Sequence, residues 1–148
     1  MGEDKNKEIF DINDLARTAL IVEDFDDAMG ALGVIKAIDK SRAKDVALKI
    51  LKLHVGDVFY QAYAFEILYD ISLSDAVKYM EENANMVHPY ILRSMLACVA
   101  IDAGLIDSRS EILSAVGTLR CVLMSRSLDD LSEVHEQKKI FEDAFPHV

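Results

Sequence analysis

The chain contains few residues that would interrupt helices or cross-link them. Its 148 residues include two prolines, six glycines, two cysteines and no tryptophan. Few glycines and prolines leave few places for turns. No segment alternates polar and apolar residues over the length of a strand between turn residues. We therefore predict that helices fill nearly the whole chain.

Long apolar runs and targeting signals are also missing. No stretch approaches the roughly 18 uninterrupted apolar residues of a membrane span, and residues 1–8 contain no apolar signal-peptide core. Both cysteines, Cys98 and Cys121, lie within apolar helical patterns, which indicates reduced thiols packed in a core. These features predict a cytoplasmic protein with no membrane partner.

Motifs for catalysis, nucleotide binding and metal binding are absent as well. The sequence has no H-E-x-x-H zinc motif, no glycine-rich phosphate loop and no G-x-S-x-G nucleophile motif. The nearest candidate metal pair is His54 with Asp57, but a helix end and a helix cap explain both residues. We predict no catalytic residue, no cofactor and no metal.

The chain is rich in apolar residues and in negative charge. Apolar residues make up 51% of its length, which is enough for a single domain over residues 1–148 with a flexible segment at 1–10. The formal net charge is −10 and the isoelectric point is about 4.7. This charge disfavours nucleic acids and anionic membranes and favours a basic protein partner. Solubility alone also explains such acidity.

Capping residues divide the chain into a series of predicted helices. A Ser or Asp side chain accepts a backbone N–H of the first turn, and a glycine closes the other end. Asp24, Ser41 and Asp57 are predicted caps, and Ser108 with Glu111 has the spacing of a capping box. The predicted helices run from Ile12 to Glu23, Asp26 to Asp39, Arg42 to His54, Val58 to Asp70, Ser72 or Ser74 to Asn83, Pro89 to Ala103, Ser108 to Arg126 and Ser127 to Pro146. The fourth is apolar on nearly every face, which predicts a buried, central position.

Two consecutive segments share a hairpin pattern. Val58–Met80 has an alanine-rich first helix, a tight Asp/Ser turn and a shorter Ala-Val-x-x-Met second helix, and it resembles a HEAT repeat. Pro89–Val116 is similar to it. The resemblance implies short antiparallel helical hairpins stacked as a small HEAT-like α-solenoid, which recognises partners on an exposed face. An irregular helical bundle is the alternative.

Tyrosines and carboxylates occur together in the middle of the chain. Between Asp57 and Tyr90 the only lysine or arginine is Lys78. Tyrosine supplies rigid contact area and carboxylates attract Lys and Arg, so we predict a partner-binding surface there and at the acidic junction of the first two helices. The predicted contact residues are Tyr60, Tyr63, Glu66, Tyr69, Asp70, Asp75, Tyr79, Glu81 and Glu82, with Glu23, Asp24, Asp26 and Asp27 at the junction. Half-buried core tyrosines with solvated tips are the alternative.

These features favour a non-catalytic protein-binding module. In size, charge and fold the chain is similar to small acidic bacterial immunity proteins, and that similarity implies binding and neutralising a basic toxin such as a nuclease. One alternative is a helical-repeat adaptor that binds a peptide or helix in an apolar groove. Another is an all-α enzyme in which two buried carboxylates, Glu66 and Asp70, share acid and base roles. The basic cluster from Lys36 to Lys52 is interpreted as a solvated face.

Overall fold

The protein is all-α in a computed structural model that describes residues 11–105 and 109–146. The helices are α1 (Ile12–Leu20), α2 (Phe25–Ile38), α3 (Lys40–Leu53), α4 (Val58–Ile71), α5 (Leu73–Asn83), α6 (Pro89–Ile101), α7 (Ser110–Ser125), α8 (Leu128–Leu131) and α9 (His135–Ala144). No strand occurs in the described ranges, so the prediction of an all-helical chain is confirmed there. Residues 1–10, predicted to be flexible, and Ser108 of the predicted capping box lie outside them.

Two of the predicted caps are confirmed by their hydrogen bonds. The backbone N–H of Asp27 donates to Asp24 Oδ1 at 3.0 Å, and that of Tyr60 donates to Asp57 Oδ1 at 2.9 Å. Asp24 has an extended backbone, which a cap requires. The chain must therefore leave α1 before Asp24, and α1 ends at Leu20 rather than at Glu23.

The predicted cap of α3 is wrong. Asp39, not Ser41, begins this helix, and Asp39 Oδ1 accepts the backbone N–H of Arg42 at 3.0 Å. Asp39 also ends α2, so the two helices meet at a single extended residue. A carboxylate in that position also gains from the positive end of the helix dipole, which a serine hydroxyl does not.

The chain divides into two compact units, Met1–Ile67 and Leu68–Val148, with the boundary inside α4. In the first unit, α1 packs against α2 and α3, and α2 packs against α3. Several of its core positions are alanines, which allow helix axes to approach closely. The buried alanines of these helices are Ala16, Ala19, Ala28, Ala31, Ala43 and Ala47.

In the second unit, α5 packs against α7, and α6 packs against α7 and α9. Arg126, just after α7, donates from Nε to Asp130 Oδ2 at 2.8 Å and from a terminal nitrogen to the Ala84 carbonyl at 3.2 Å. Its guanidinium therefore links the ends of α5, α7 and α8. None of the described helices is both long enough and apolar enough to cross a lipid bilayer.

Helix α4 is buried over most of its length, as its sequence predicts. Ala62, Phe65 and Leu68 of the predicted apolar stripe are buried, and Phe65 and Leu68 are fully so. Val58, at the start of the helix, is half-buried. Gln61 is buried too, and its amide lies 3.3 Å from the Gly56 carbonyl oxygen, to which it donates. The α3–α4 loop is thereby tied to the helix that follows it.

Candidate protein-binding surfaces

The junction of α1 and α2 carries an exposed acidic patch that consists of Glu23, Asp24, Asp26 and Asp27. Asp24 is engaged as the cap of α2, and Asp26 and Asp27 occupy its first turn. Carboxylates near a helix N-terminus interact favourably with the helix dipole. The four carboxylates are all exposed, and their contact with a partner stays a prediction.

A cavity of about 260 Å³ opens beside the acidic patch. Glu23, Asp24 and Asp27 line it, together with Arg17, Thr18 and Ile21. Arg17 is held by Asp14, whose Oδ1 lies 2.9 Å from the guanidinium. The positive charge of Arg17 is thus balanced within α1, and the patch carboxylates give the cavity its net negative charge.

Two apolar side chains are exposed within the acidic patch. Ile21 is 59% exposed and Phe25 is 45% exposed. The Phe25 ring packs against the ring of Tyr60, with centroids 6.4 Å apart. An apolar centre surrounded by carboxylates is the arrangement found in interfaces where burial holds the partner and charge guides it in.

The predicted contact tyrosines are placed mainly in the core. Tyr60 is only 1% exposed, and its hydroxyl donates to the Ala19 carbonyl at 2.6 Å. Tyr79 is 6% exposed. These two residues are corrected from partner contacts to core residues, because both side chains are buried. Tyr63 and Tyr69 are half-buried, and Tyr69 donates to Asp102 Oδ2 at 2.7 Å.

Burial raises the pKa of Tyr60, Tyr63, Tyr69 and Tyr79 above the ordinary tyrosine value. For Tyr69 the hydrogen bond to Asp102 adds to the effect of burial. Each of these hydroxyls is therefore a neutral donor at physiological pH. The hydroxyls of Tyr60 and Tyr63 donate to the carbonyls of Ala19 and Met29, and they thereby link α4 to α1 and α2.

These pKa values predict a loss of stability at high pH. The folded state favours the protonated phenols, so their stabilising contribution is complete below about pH 10, the unfolded pKa, and is lost as the pH rises through the higher folded values. Near-ultraviolet absorbance should show most phenols titrating later in the folded protein than in denaturant. Tyr60→Phe should remove part of that late phase. A folded protein whose tyrosines all titrate at the ordinary pKa would contradict the burial.

The remaining predicted carboxylates do not form one buried site. Glu66, Asp70, Glu81 and Glu82 are exposed, and Asp75 is half-buried with its carboxylate accepting from the Ser72 hydroxyl. The hypothesis of buried catalytic carboxylates is therefore wrong for Glu66 and Asp70. In the described residues no group of three or more His, Cys, Asp or Glu side chains is placed to bind a metal ion.

The predicted basic cluster lies on α2 and α3. Lys40, Lys49 and Lys52 are exposed, whereas Arg42 is half-buried and donates to Asn13 Oδ1 at 3.0 Å. Arg42 thus joins α3 to α1.

A groove of about 660 Å³ beside α5 and α7 was not predicted from the sequence. It is lined by Glu81 of α5 and by Leu113, Ser114, Gly117, Cys121 and Ser125 of α7, among others. Cys121 is exposed, so its predicted place in the core is wrong, whereas Cys98 is half-buried. The sequence signal was the spacing of Leu113, Gly117, Cys121 and Ser125, four residues apart on one helix face without a charge.

Comparisons with protein-family models, with curated proteins and with solved structures gave no match for this chain.

Proposed function

We propose that the chain is a non-catalytic protein-binding module whose partner is basic, and specifically an immunity-type inhibitor of a cationic toxin such as a nuclease. The observation that carries this proposal is the acidic patch, in which Ile21 lines a cavity with Glu23, Asp24 and Asp27, and Phe25, the next residue after Asp24, is exposed as well. Ile21 remains 59% exposed and Phe25 remains 45% exposed, although the Phe25 ring packs against Tyr60. A partner that covers them would gain apolar burial of about 25 cal/mol per Å².

Charge supports a basic partner for this surface. The chain carries a net charge of −10, and Arg17, which lines the cavity beside the patch, is paired with Asp14. Opposite charges accelerate association and exclude acidic competitors, whereas the apolar centre slows dissociation. A toxin that binds nucleic acid would present the complementary lysines and arginines.

The way in which the helical hairpins stack is also part of the proposal. We infer that the hairpins stack as a small HEAT-like solenoid, in which the second helices of successive hairpins pack side by side. The contact of α5 with α7 supports this, because they are the second helices of the segments Val58–Met80 and Pro89–Val116. A cytoplasmic location is also proposed, since neither Cys98 nor Cys121 forms a disulfide.

Reversing charges in the acidic patch should slow association with the basic partner. We expect Glu23→Lys with Asp26→Lys to lower the on-rate by about tenfold at low salt, because surface charges steer encounter. The difference should shrink as salt screens the interaction. The measurement is surface plasmon resonance with the partner recovered by affinity capture, at two salt concentrations. Ile21→Ala should instead raise the off-rate.

Two matched variants serve as controls for this experiment. Glu133→Lys with Glu136→Lys reverses two exposed carboxylates just before and within the first turn of α9, so the net charge changes as much as in the patch variant, and Ile101→Ala truncates another exposed isoleucine. Both should bind like the unmodified chain. Co-expression should also protect cells from the captured partner if it is a toxin. An acidic partner, or binding indifferent to salt and to the patch variants, would reject the proposal.

The groove beside α5 and α7 favours a second candidate function. A shallow groove along an uncharged helix face suits an adaptor that binds a helix or peptide. Such an adaptor would use the same fold without needing a toxin as its partner.

A further inference from the structure

The exposed face of α7 is uncharged throughout. Its exposed residues are Ser110, Leu113, Ser114, Gly117, Cys121, Met124 and Ser125. The helix does contain Glu111 and Arg120, but both are half-buried, and Arg120 donates to the carbonyls of Phe145 and Pro146. In a protein with 28% charged residues, a surface helix normally carries charge on its solvent side. This face therefore has the composition of a contact surface.

The shape of the groove suits a helix. Leu113, Gly117, Cys121 and Ser125 lie four residues apart, so they form a row about 18 Å long at 1.5 Å per residue. Small side chains in the row leave room for the ridge of a second helix to approach closely. An extended peptide would bind more weakly than a helix. The backbone groups of α7 are already hydrogen-bonded within the helix, so they cannot pair with the backbone of an added strand.

The charge of the groove indicates what that helix carries. Glu81 is the one ionisable carboxylate that lines it, and no lysine or arginine of the described residues does. Glu81 accepts a hydrogen bond from the Ser114 hydroxyl at 3.1 Å and remains exposed, so it can also accept from a cation. A second copy of this chain is disfavoured, because each copy would bring a further net charge of −10.

We infer that the groove beside α5 and α7 binds an amphipathic helix of a partner protein, whose apolar face packs on the row from Leu113 to Ser125 and whose lysine or arginine pairs with Glu81. This inference rests on the proposed role as a protein-binding module and deepens its second candidate. It does not require the acidic patch at α1 and α2. The two sites lie in different units and can be tested separately.

The experiment selects helical peptides on the intact chain. A display library of amphipathic helices is used, with Ala, Leu or Met on the apolar face and Lys, Glu or Gln on the other. We expect the enriched peptides to carry lysine beside the apolar face. Their binding should slow alkylation of Cys121 but not of half-buried Cys98, which mass mapping of the modified protein distinguishes.

Variants then locate the bound peptide. Gly117→Leu should weaken binding by about tenfold or more, because the new side chain fills the row on which the helix packs. It should not disturb folding, since a Cβ at Gly117 meets no atom within 4 Å. Gly30→Leu is the matched control, because Gly30 is also exposed in mid-helix with no atom near its Cβ. Glu81→Gln should weaken binding of the lysine-bearing peptides and spare versions with glutamine in place of lysine.

The possible failures have different signatures. If no peptide is enriched, or if the enriched peptides tolerate Gly117→Leu, the inference is rejected. If their binding responds to Glu23→Lys with Asp26→Lys instead, the acidic patch is the docking site and the groove is not. If light scattering shows a dimer and Gly117→Leu abolishes it, the helix in the groove belongs to a second copy of this chain rather than to a partner protein. If peptides bind the groove while charge reversal in the acidic patch leaves binding of the basic partner unchanged, only the inhibitor proposal fails.

Discussion

Replacing Phe65 with alanine should lower the free energy of unfolding by about 3–5 kcal/mol, the usual cost of truncating a fully buried aromatic ring. Phe65 has no exposed surface, and it lies in a helix whose neighbouring positions Ala64 and Leu68 are also fully buried. Alanine would remove the apolar area and leave a cavity that close-packed helices cannot fill by small shifts. The loss should appear as a lower midpoint in urea denaturation followed by far-ultraviolet circular dichroism.

Helix α4 offers its own control for that measurement. Phe59 is 59% exposed, only six residues earlier in the same helix. Phe59→Ala should change the free energy of unfolding by no more than about 0.5 kcal/mol, as exposed substitutions usually do. A loss below about 1 kcal/mol for Phe65→Ala would show that the ring is not part of a packed core.

The helices of this chain were predictable because their ends are fixed by local chemistry. Asp24 and Asp57 cap helices through side-chain contacts only three residues away, so the sequence contains both partners. Prediction failed at the start of α3, because Asp39 and Ser41 both carry a side-chain oxygen that can cap a helix. Choosing between them depends on where α2 ends, and α2 continues to Ile38 because its apolar face packs against α1 and α3.

The candidate sites were less predictable because they depend on contacts between distant residues. Tyr60 is in the core because its hydroxyl meets the Ala19 carbonyl, 41 residues away along the chain. No local pattern distinguishes such a tyrosine from one at an interface. Cys121 illustrates the converse, since its apolar neighbours Val122 and Leu123 are buried on one side of α7 while Cys121 lies on the other. Counting apolar neighbours suggested a core position, whereas helical spacing indicates the exposed face.

The acidic patch was predictable as charge but not as an interface. Four carboxylates within five residues are visible in the sequence, and a solvated helix junction would explain them equally well. The structure adds the exposed side chains of Ile21 and Phe25, which a merely solvated junction would not need. Phe25 is held in place by Tyr60, so the buried tyrosine supports the patch without touching a partner.

Gly56→Ala should lower the free energy of unfolding by about 2–4 kcal/mol, from the combined cost of a left-handed backbone and a steric clash. Gly56 has φ +71°, which residues with a Cβ rarely adopt. A Cβ there would lie 2.9 Å from Tyr60 Cδ2 and 3.3 Å from Phe25 Cε1. The Tyr60 ring cannot move away easily, because its hydroxyl is bonded to Ala19 and its backbone N–H to Asp57.

Gly56→Ala should also change the structure of the acidic patch. A displaced Tyr60 would shift Phe25, so Gly56→Ala should also weaken binding of the basic partner in the protein that remains folded. Gly30→Ala is the control, since its Cβ meets no atom within 4 Å and alanine favours a helix by about 1 kcal/mol over glycine. Urea denaturation of the two variants should therefore give changes of opposite sign. Equal effects would show that neither the backbone at Gly56 nor its contact with Tyr60 constrains the α3–α4 loop.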